Sequence, residues 1–126
     1  IDTDMELLVM NTITANAYEY NSLSTLKKNI KKLNNNALKI INSGELYSFN
    51  YNTEKEGAKK HIGFVIGKEY KTPQEVISNS KKGINSYTMI SICWKAIQEL
   101  SQQVDALQDE IKILKEDKYE INKLDK

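Results

Sequence analysis

Apolar side chains recur every seven residues through the last third of the chain. The first set is Ile90, Ile97, Val104 and Ile111, followed by Lys118 at the fifth position. A second set lies three residues after each of these: Cys93, Leu100, Leu107, Leu114 and Ile121. Neither Pro nor Gly interrupts the sequence from Tyr87 to its end. This pattern predicts one long helix with an apolar seam at heptad positions a and d.

An isolated helix would leave this seam in water, so we expect the seam to need a partner. The simplest partner is the same helix from another copy of the chain. Ile and Val at a with Leu at d favour two strands, whereas Trp94 beside the seam and Lys118 at position a leave the number of chains open. Self-association is expected on the apolar seam positions: Ile90, Cys93, Ile97, Leu100, Val104, Leu107, Ile111, Leu114 and Ile121.

Shorter patterns precede the seam. Alternating polar and apolar residues predict strands over residues 12–18 and 46–51, and the compact apolar run 62–67 predicts a buried strand. Helical spacing extends over residues 26–41, with an interruption at the three asparagines 34–36. Thr72, Pro73 and Glu75 have the order that begins a short helix. The chain is therefore expected to be α+β, with a small mixed globular domain of residues 22–89 before the helix of residues 90–126.

Composition excludes several function classes. Eighteen basic and seventeen acidic residues give a net charge of +1, so no single-sign field favours nucleic acid or an anionic membrane as a partner. No apolar run has the length of a membrane span. One Cys and one His are too few for a structural zinc site within the chain. No metal, cofactor, nucleic-acid or membrane partner is expected.

Ser22 and Lys27 are the candidate catalytic pair, because an amine that accepts the proton of a serine hydroxyl turns that serine into a nucleophile. A five-residue offset places two side chains on different faces of a helix, so the pair needs a turn at residues 23–25 to bring it together. Lys27 must also lose water, since an exposed amine is protonated at neutral pH. From spacing alone, a loop serine and a solvated lysine are the expected interpretation.

The remaining candidates are expected to be structural when taken alone. His61 precedes the apolar run, where its imidazole would orient a reacting group or satisfy a backbone carbonyl. Cys93 falls at a d position and is expected to be a buried small hydrophobe. The lysines of residues 27–32 are expected to form a solvated face.

The order of these segments resembles the C-terminal intramolecular chaperone domain of phage tail spikes and endosialidases, the S74 peptidase domain. Residues 22–30 are similar to the opening motif of that family, in which a serine precedes Leu-Lys and then Asn-Ile. Residues 46–51 and 60–65 resemble its first core strand and its His-Ile-Gly-Phe strand. Pro73, Tyr87 and residues 95–100 resemble its proline, its aromatic residue before the long helix and the start of its coiled coil.

The resemblance implies a homotrimer with a parallel trimeric coiled coil, in which the domain folds an upstream fibre and then cuts itself off. It assigns the self-cleaving serine endopeptidase activity, a single turnover in cis or between protomers, to Ser22 and Lys27, with His61 in an orienting role. It also implies cleavage at Ser22–Leu23, residues 1–21 as the end of a stalk, and a parent protein in the virion tail that assembles in the host cytoplasm.

Two alternatives stay open. Attack of the Ser22 hydroxyl on its own carbonyl would close a four-membered ring, whereas attack on the preceding carbonyl closes a five-membered ring and would break Asn21–Ser22. The family often has Asp after the serine and Arg before Leu-Lys, where this chain has Leu23 and Thr25. The alternative function is therefore a trimerisation and folding module that does not cleave itself.

Overall fold

The computed structural model describes residues 6–34 and 36–124. The chain divides into two compact units, Ile1–Leu33 and Asn34–Lys126. Residues 1–5, 35, 125 and 126 lie outside the described residues. These residues include the start of the predicted stalk segment, the middle asparagine of the predicted interruption and the last two residues of the predicted C-terminal helix.

The first unit contains one short element, a 3₁₀ helix at Ser24–Leu26. Every described residue of this unit is exposed, and residues 12–18 form no strand. The predicted strand is therefore wrong for the single chain, because an alternating segment becomes a strand only when another strand takes up its backbone hydrogen bonds. The predicted helix is also wrong over residues 27–33, since Lys27 is extended and Asn29 has a left-handed backbone with φ of 57°.

The second unit has two helices, two strands and a second 3₁₀ helix. In chain order these are α1 (Ala37–Ser43), β1 (Tyr47–Phe49), β2 (His61–Gly63), the 3₁₀ helix Gln74–Val76 and α2 (Ser86–Leu124). Strands β1 and β2 pair antiparallel, with Ser48 opposite Ile62. The α+β class is confirmed at this level: a small two-stranded sheet and a long C-terminal helix.

Both strands lie where the patterns predicted them, but they are shorter. The buried strand predicted at 62–67 is wrong in two respects, since β2 ends at Gly63 and its first two residues are exposed. A sheet of two strands has no second layer to cover the outer face of β2. The helix expected near Pro73 is a single 3₁₀ turn that begins at Gln74.

The start of α1 is held by two side chains. Asn36 caps the helix, its side chain accepting a hydrogen bond from the Lys39 N–H. The Glu99 carboxylate of α2 accepts from the Ala37 N–H at 3.1 Å and from the Leu38 N–H at 2.9 Å. Glu99 thereby satisfies two amides that no residue of α1 can satisfy at its first turn. The contact fixes α1 against α2.

The end of α1 depends on a close approach of three segments. Gly44 follows the helix, and a Cβ at this position would lie 3.0 Å from the ring of Pro73 and 3.1 Å from that of Phe64. The absence of a side chain at Gly44 thus lets the chain after α1 pass directly against both rings. Among the described residues, the buried core of this unit consists of Ala37, Val76, Ile92 and Ala96.

Helix α2 extends without interruption over 39 residues. Its first turn is capped by Asn85, whose side chain accepts from the Thr88 N–H at 3.0 Å. Beyond Ala96 the described side chains are exposed or half-buried. No helix within residues 6–34 and 36–124 is both long enough and apolar enough to cross a bilayer.

The predicted seam lies along the exposed face of α2. Cys93, expected to be buried in the seam of a helix assembly, is exposed in the single chain. The seam residues of α2 all share this exposure: Ile90, Cys93, Ile97, Leu100, Val104, Leu107, Ile111, Leu114 and Ile121.

Candidate functional site

The first unit brings Ser22 and Lys27 into direct contact. The Lys27 Nζ donates a hydrogen bond to the Ser22 Oγ at 2.6 Å. This length is short for a nitrogen donor and an oxygen acceptor. The two side chains that sequence analysis singled out as a nucleophile and its base are therefore hydrogen-bonded neighbours.

A single turn between them produces this contact. The 3₁₀ helix Ser24–Leu26 is closed by hydrogen bonds from the Leu26 N–H to the Leu23 carbonyl and from the Lys27 N–H to the Ser24 carbonyl. The chain enters and leaves the turn with extended backbone at Leu23 and Lys27. The turn that the five-residue offset required is thus present, and it lies at the required place.

The Ser22–Lys27 contact lies at the surface of the chain. Both side chains are exposed. In this contact Lys27 is the donor and the Ser22 hydroxyl is the acceptor. Activation of the serine needs the reverse, a neutral amine that accepts the hydroxyl proton.

His61 lies in the second unit, at the start of β2, and its side chain is 45% exposed. Its Nε2 lies 2.8 Å from the Glu54 Oε1. The imidazole stacks on the Phe49 ring and meets the Tyr51 ring edge-on. These contacts hold the loop that joins β1 to β2. His61 is thus joined to β1 and to the loop that follows it.

Glu54 is the acidic partner in this loop. Its Oε1 also accepts a hydrogen bond from the Tyr51 N–H at 2.7 Å. That backbone hydrogen bond lowers the pKa of the Glu54 carboxyl below its usual value, and the hydrogen bond and charge of His61 lower it further. The loop is closed from its other side by the Asn50 side chain, which donates to the carbonyls of Ala58 and Lys59.

The central segment of the chain is similar to a known protein family. Residues 24–66 match the family model of the chaperone of endosialidase, Peptidase_S74. This match covers about a third of the chain and supports its resemblance to the endosialidase chaperone family. The match begins two residues after Ser22 and includes both Lys27 and His61. The comparisons with curated proteins and with solved structures give no match.

Two carboxylate contacts, those of Glu54 and Glu99, were missed from the sequence. Glu54 lies in a run of alternating charges, where nothing distinguishes it from Glu56. The heptad pattern predicts that Glu99, at position c, is exposed, although its carboxylate binds the start of α1. Ala96 lies on the same flank of α2 and was the available signal for a packed helix, because a small residue there allows another helix to approach.

Across residues 6–34 and 36–124, no three side chains of His, Cys, Asp or Glu cluster as metal ligands would. The Ser22–Lys27 contact brings together a hydroxyl and an amine.

Proposed function

We propose that this chain is the C-terminal intramolecular chaperone of a phage tail-spike or neck-appendage protein, and that it releases itself by cleavage at Ser22–Leu23. The family match supports the chaperone role. The observation that carries the self-cleavage is the 2.6 Å contact between the Lys27 Nζ, inside the matched segment, and the Ser22 Oγ, two residues before it. Lys27 and Ser22 act as base and nucleophile, and His61 has the orienting role that the resemblance assigns to it.

The reaction has two steps. Neutral Lys27 takes the proton of the Ser22 hydroxyl while the Oγ attacks the scissile carbonyl, and the resulting ammonium returns the proton to the leaving amine as the peptide bond breaks. An ester of Ser22 remains. Water then hydrolyses this ester, which restores the hydroxyl and leaves a free carboxylate.

The choice of bond follows from ring size and chain number. At Ser22–Leu23, attack by the same serine would close a four-membered ring, so the nucleophile is the Ser22 hydroxyl of a neighbouring protomer. The alternative is a shift within one chain, in which Ser22 attacks the Asn21 carbonyl through a five-membered ring and breaks Asn21–Ser22. The masses of the two products distinguish these bonds.

Assembly supplies the missing condition for catalysis. In the single chain Lys27 is exposed to solvent. Removing water from an amine lowers its pKa, because burial disfavours the charged form. We propose that neighbouring protomers exclude water from the pair, so that cleavage begins only after the chains have assembled.

The seam of α2 is the proposed assembly surface, as the core of a parallel homotrimeric coiled coil. Among the described residues of the second unit the hydrophobic core has only four members, while the seam stays exposed over the length of α2. An exposed apolar surface of this extent is typical of an interaction site. Pairing the seams removes it from water and holds the chains in parallel.

A terminal coiled coil also explains the chaperone role. Intertwined strands of a fibre pair over long sequence separations, and loop-closure entropy opposes their nucleation. Chains already joined at one end present their upstream segments to each other at high effective concentration. Release of the chaperone then leaves a fibre whose stability is kinetic. Assembly takes place in the host cytoplasm, and the parent protein remains in the virion tail.

The test is the intact mass of the 126-residue chain after incubation at a concentration where it is assembled. Wild type should yield two fragments that meet beside Ser22. Ser22→Ala should stay whole, and Lys27→Met should cleave at least about a hundredfold more slowly, because a positioned general base contributes factors of this order. Lys28→Met is the matched control, since it removes a lysine of the same cluster and leaves the Ser22 contact.

The outcomes separate the two functions. Fragments from wild type and Lys28→Met alone support self-cleavage by the pair. A full-length mass for every protein, with assembly intact, leaves the non-cleaving trimerisation and folding module. Cleavage of Lys27→Met at the wild-type rate would remove Lys27 from the mechanism.

A further inference from the structure

An apolar groove runs between α1 and α2 beside the first two heptads of the seam. Lys39 is the single charged side chain that lines it. Three of its residues, Cys93, Ile97 and Leu100, are also seam positions, so the groove and the seam form one continuous apolar surface. The apolar lining consists of Leu38, Ile41, Cys93, Ala96, Ile97 and Leu100.

Trp94 lies on the opposite flank of the same seam. It is the one tryptophan of the sequence, and its side chain is 68% exposed. With Ile90 at position a, Trp94 occupies position e. The flank that faces α1 is the other one, formed by positions c and g: Ile92 and Ala96 are buried there, and Glu99 binds the start of α1.

Parallel, in-register helices bring these two features together. In such an assembly, the e flank of one helix lies beside the g flank of its neighbour. Trp94 of one chain is then level with Cys93 and Ile97 of the next, which is the level of the groove. Position g at this level is Ala96, which is buried against the core and forms part of the groove wall.

Resting on the proposed self-association through the seam, we propose that the indole of Trp94 inserts into the α1–α2 groove of a neighbouring copy of this chain. One chain offers the ring and the next offers the groove, so the contact is heterologous and repeats around a closed ring of protomers. A tryptophan ring that enters an apolar pocket at the centre of an interface typically dominates its binding energy. Helix α1 is then part of the interface, although it lies outside the heptad repeat.

Tryptophan fluorescence of the full chain tests this directly, because Trp94 is the one indole present. On assembly of wild type, the emission should shift to shorter wavelength and quenching by acrylamide should fall. Ile41→Asn places a polar side chain in the groove at a residue that is 41% exposed. It should keep Trp94 open to quencher and raise the dissociation constant by about tenfold, the loss expected for one poorly buried apolar contact.

Ile113→Asn is the matched control. Ile113 is an exposed isoleucine at position c of α2, outside both the seam and the groove. This variant should assemble and shield Trp94 as wild type does. Circular dichroism of each variant verifies that the helices are retained.

Mixing two variants shows that the groove and the ring come from different chains. Trp94→Ala chains have an intact groove and give no tryptophan signal, so the emission of a mixture with Ile41→Asn chains comes from Trp94 of the latter alone. Excess Trp94→Ala chains should shield that indole from acrylamide, whereas excess Ile41→Asn chains should not.

Four results would decide against the proposal. Chains that assemble while Trp94 stays open to quencher would overturn the groove contact and leave self-association intact. The same holds if Ile41→Asn behaves as Ile113→Asn does, or if mixing restores no shielding. Chains that sediment as monomers at all concentrations would overturn the proposed assembly and the groove contact with it.

Discussion

Glu54 shows how one side chain fixes a loop that the sequence leaves undefined. Its Oε1 accepts the Tyr51 N–H at 2.7 Å and lies 2.8 Å from the His61 Nε2. The loop between β1 and β2 is thus closed by a carboxylate bound to its first residues and to the strand that follows. Both contacts favour the ionised carboxylate, which is why the pKa of Glu54 is lowered.

This lowered pKa makes the loop sensitive to acid. A group whose pKa is lower in the folded chain than in the unfolded chain stabilises the fold above its ordinary pKa, here 4.5, and the stabilisation is lost as pH falls through the folded value. We expect the free energy of unfolding of wild type to fall more steeply than that of Glu54→Gln below this pH. Denaturant unfolding over a pH series measures the difference.

Glu56→Gln is the control, because it removes a carboxylate from the same loop. It should keep the pH dependence of wild type. If Glu54→Gln and wild type lose stability in parallel on acidification, the Glu54 contacts contribute nothing to the fold.

Ser22 and Lys27 mark the limit of what sequence predicts at this scale. Their residue types and the need for an intervening turn could be stated beforehand, and the turn at Ser24–Leu26 meets that need. The residue that ends the predicted helix, Asn29, could not be singled out. Asparagine tolerates left-handed backbone better than most residues, but many asparagines in this chain have no such backbone.

At the scale of elements, α1 depends on α2 more than on its own sequence. A helix of seven residues is too short to be stable alone. Glu99 supplies two acceptors to its first turn, at Ala37 and Leu38, and Ala37 is fully buried. The dependence was hidden from the sequence because Glu99 lies about sixty residues away.

Glu99→Ala should therefore destabilise the chain. It leaves two helix amides without an acceptor, one of them buried, and charge-assisted caps of this kind contribute about 2 kcal/mol. Denaturant unfolding at neutral pH measures the loss. Glu120→Ala removes an exposed carboxylate from the same heptad position of the same helix, and its effect should stay within about 0.5 kcal/mol. Equal effects of the two substitutions would show that Glu99 does not hold α1.

At the scale of the whole molecule, the patterns that need only neighbouring residues were the most reliable. Helix α2 is continuous over Ser86–Leu124, as its heptads predict. Strands β1 and β2 lie at the predicted places because each has the other to pair with. The alternating segment of residues 12–18 has no such partner in one chain and forms no strand. In the proposed assembly it would belong to a fibre of several chains, and a single sequence does not carry that information.

The seam and the Ser22–Lys27 pair make one joint prediction. If assembly removes water from Lys27, weakening the seam must slow cleavage, although Leu107 on α2 is no part of the reacting pair. Leu107→Asn should raise the dissociation constant at least about tenfold, since burying a leucine contributes about 2 kcal/mol. At a concentration between the two dissociation constants, its cleavage rate should fall by a similar factor and recover at higher concentration.

Sedimentation velocity measures the assembly and intact mass measures the cleavage, both over one concentration series. Asp109→Asn, at the outward f position, is the control and should assemble and cleave as wild type does. A Leu107→Asn chain that is monomeric yet cleaves at the wild-type rate would mean that the pair loses its water within one chain. Cleavage would then precede assembly, and the chaperone would release itself before it had joined the chains.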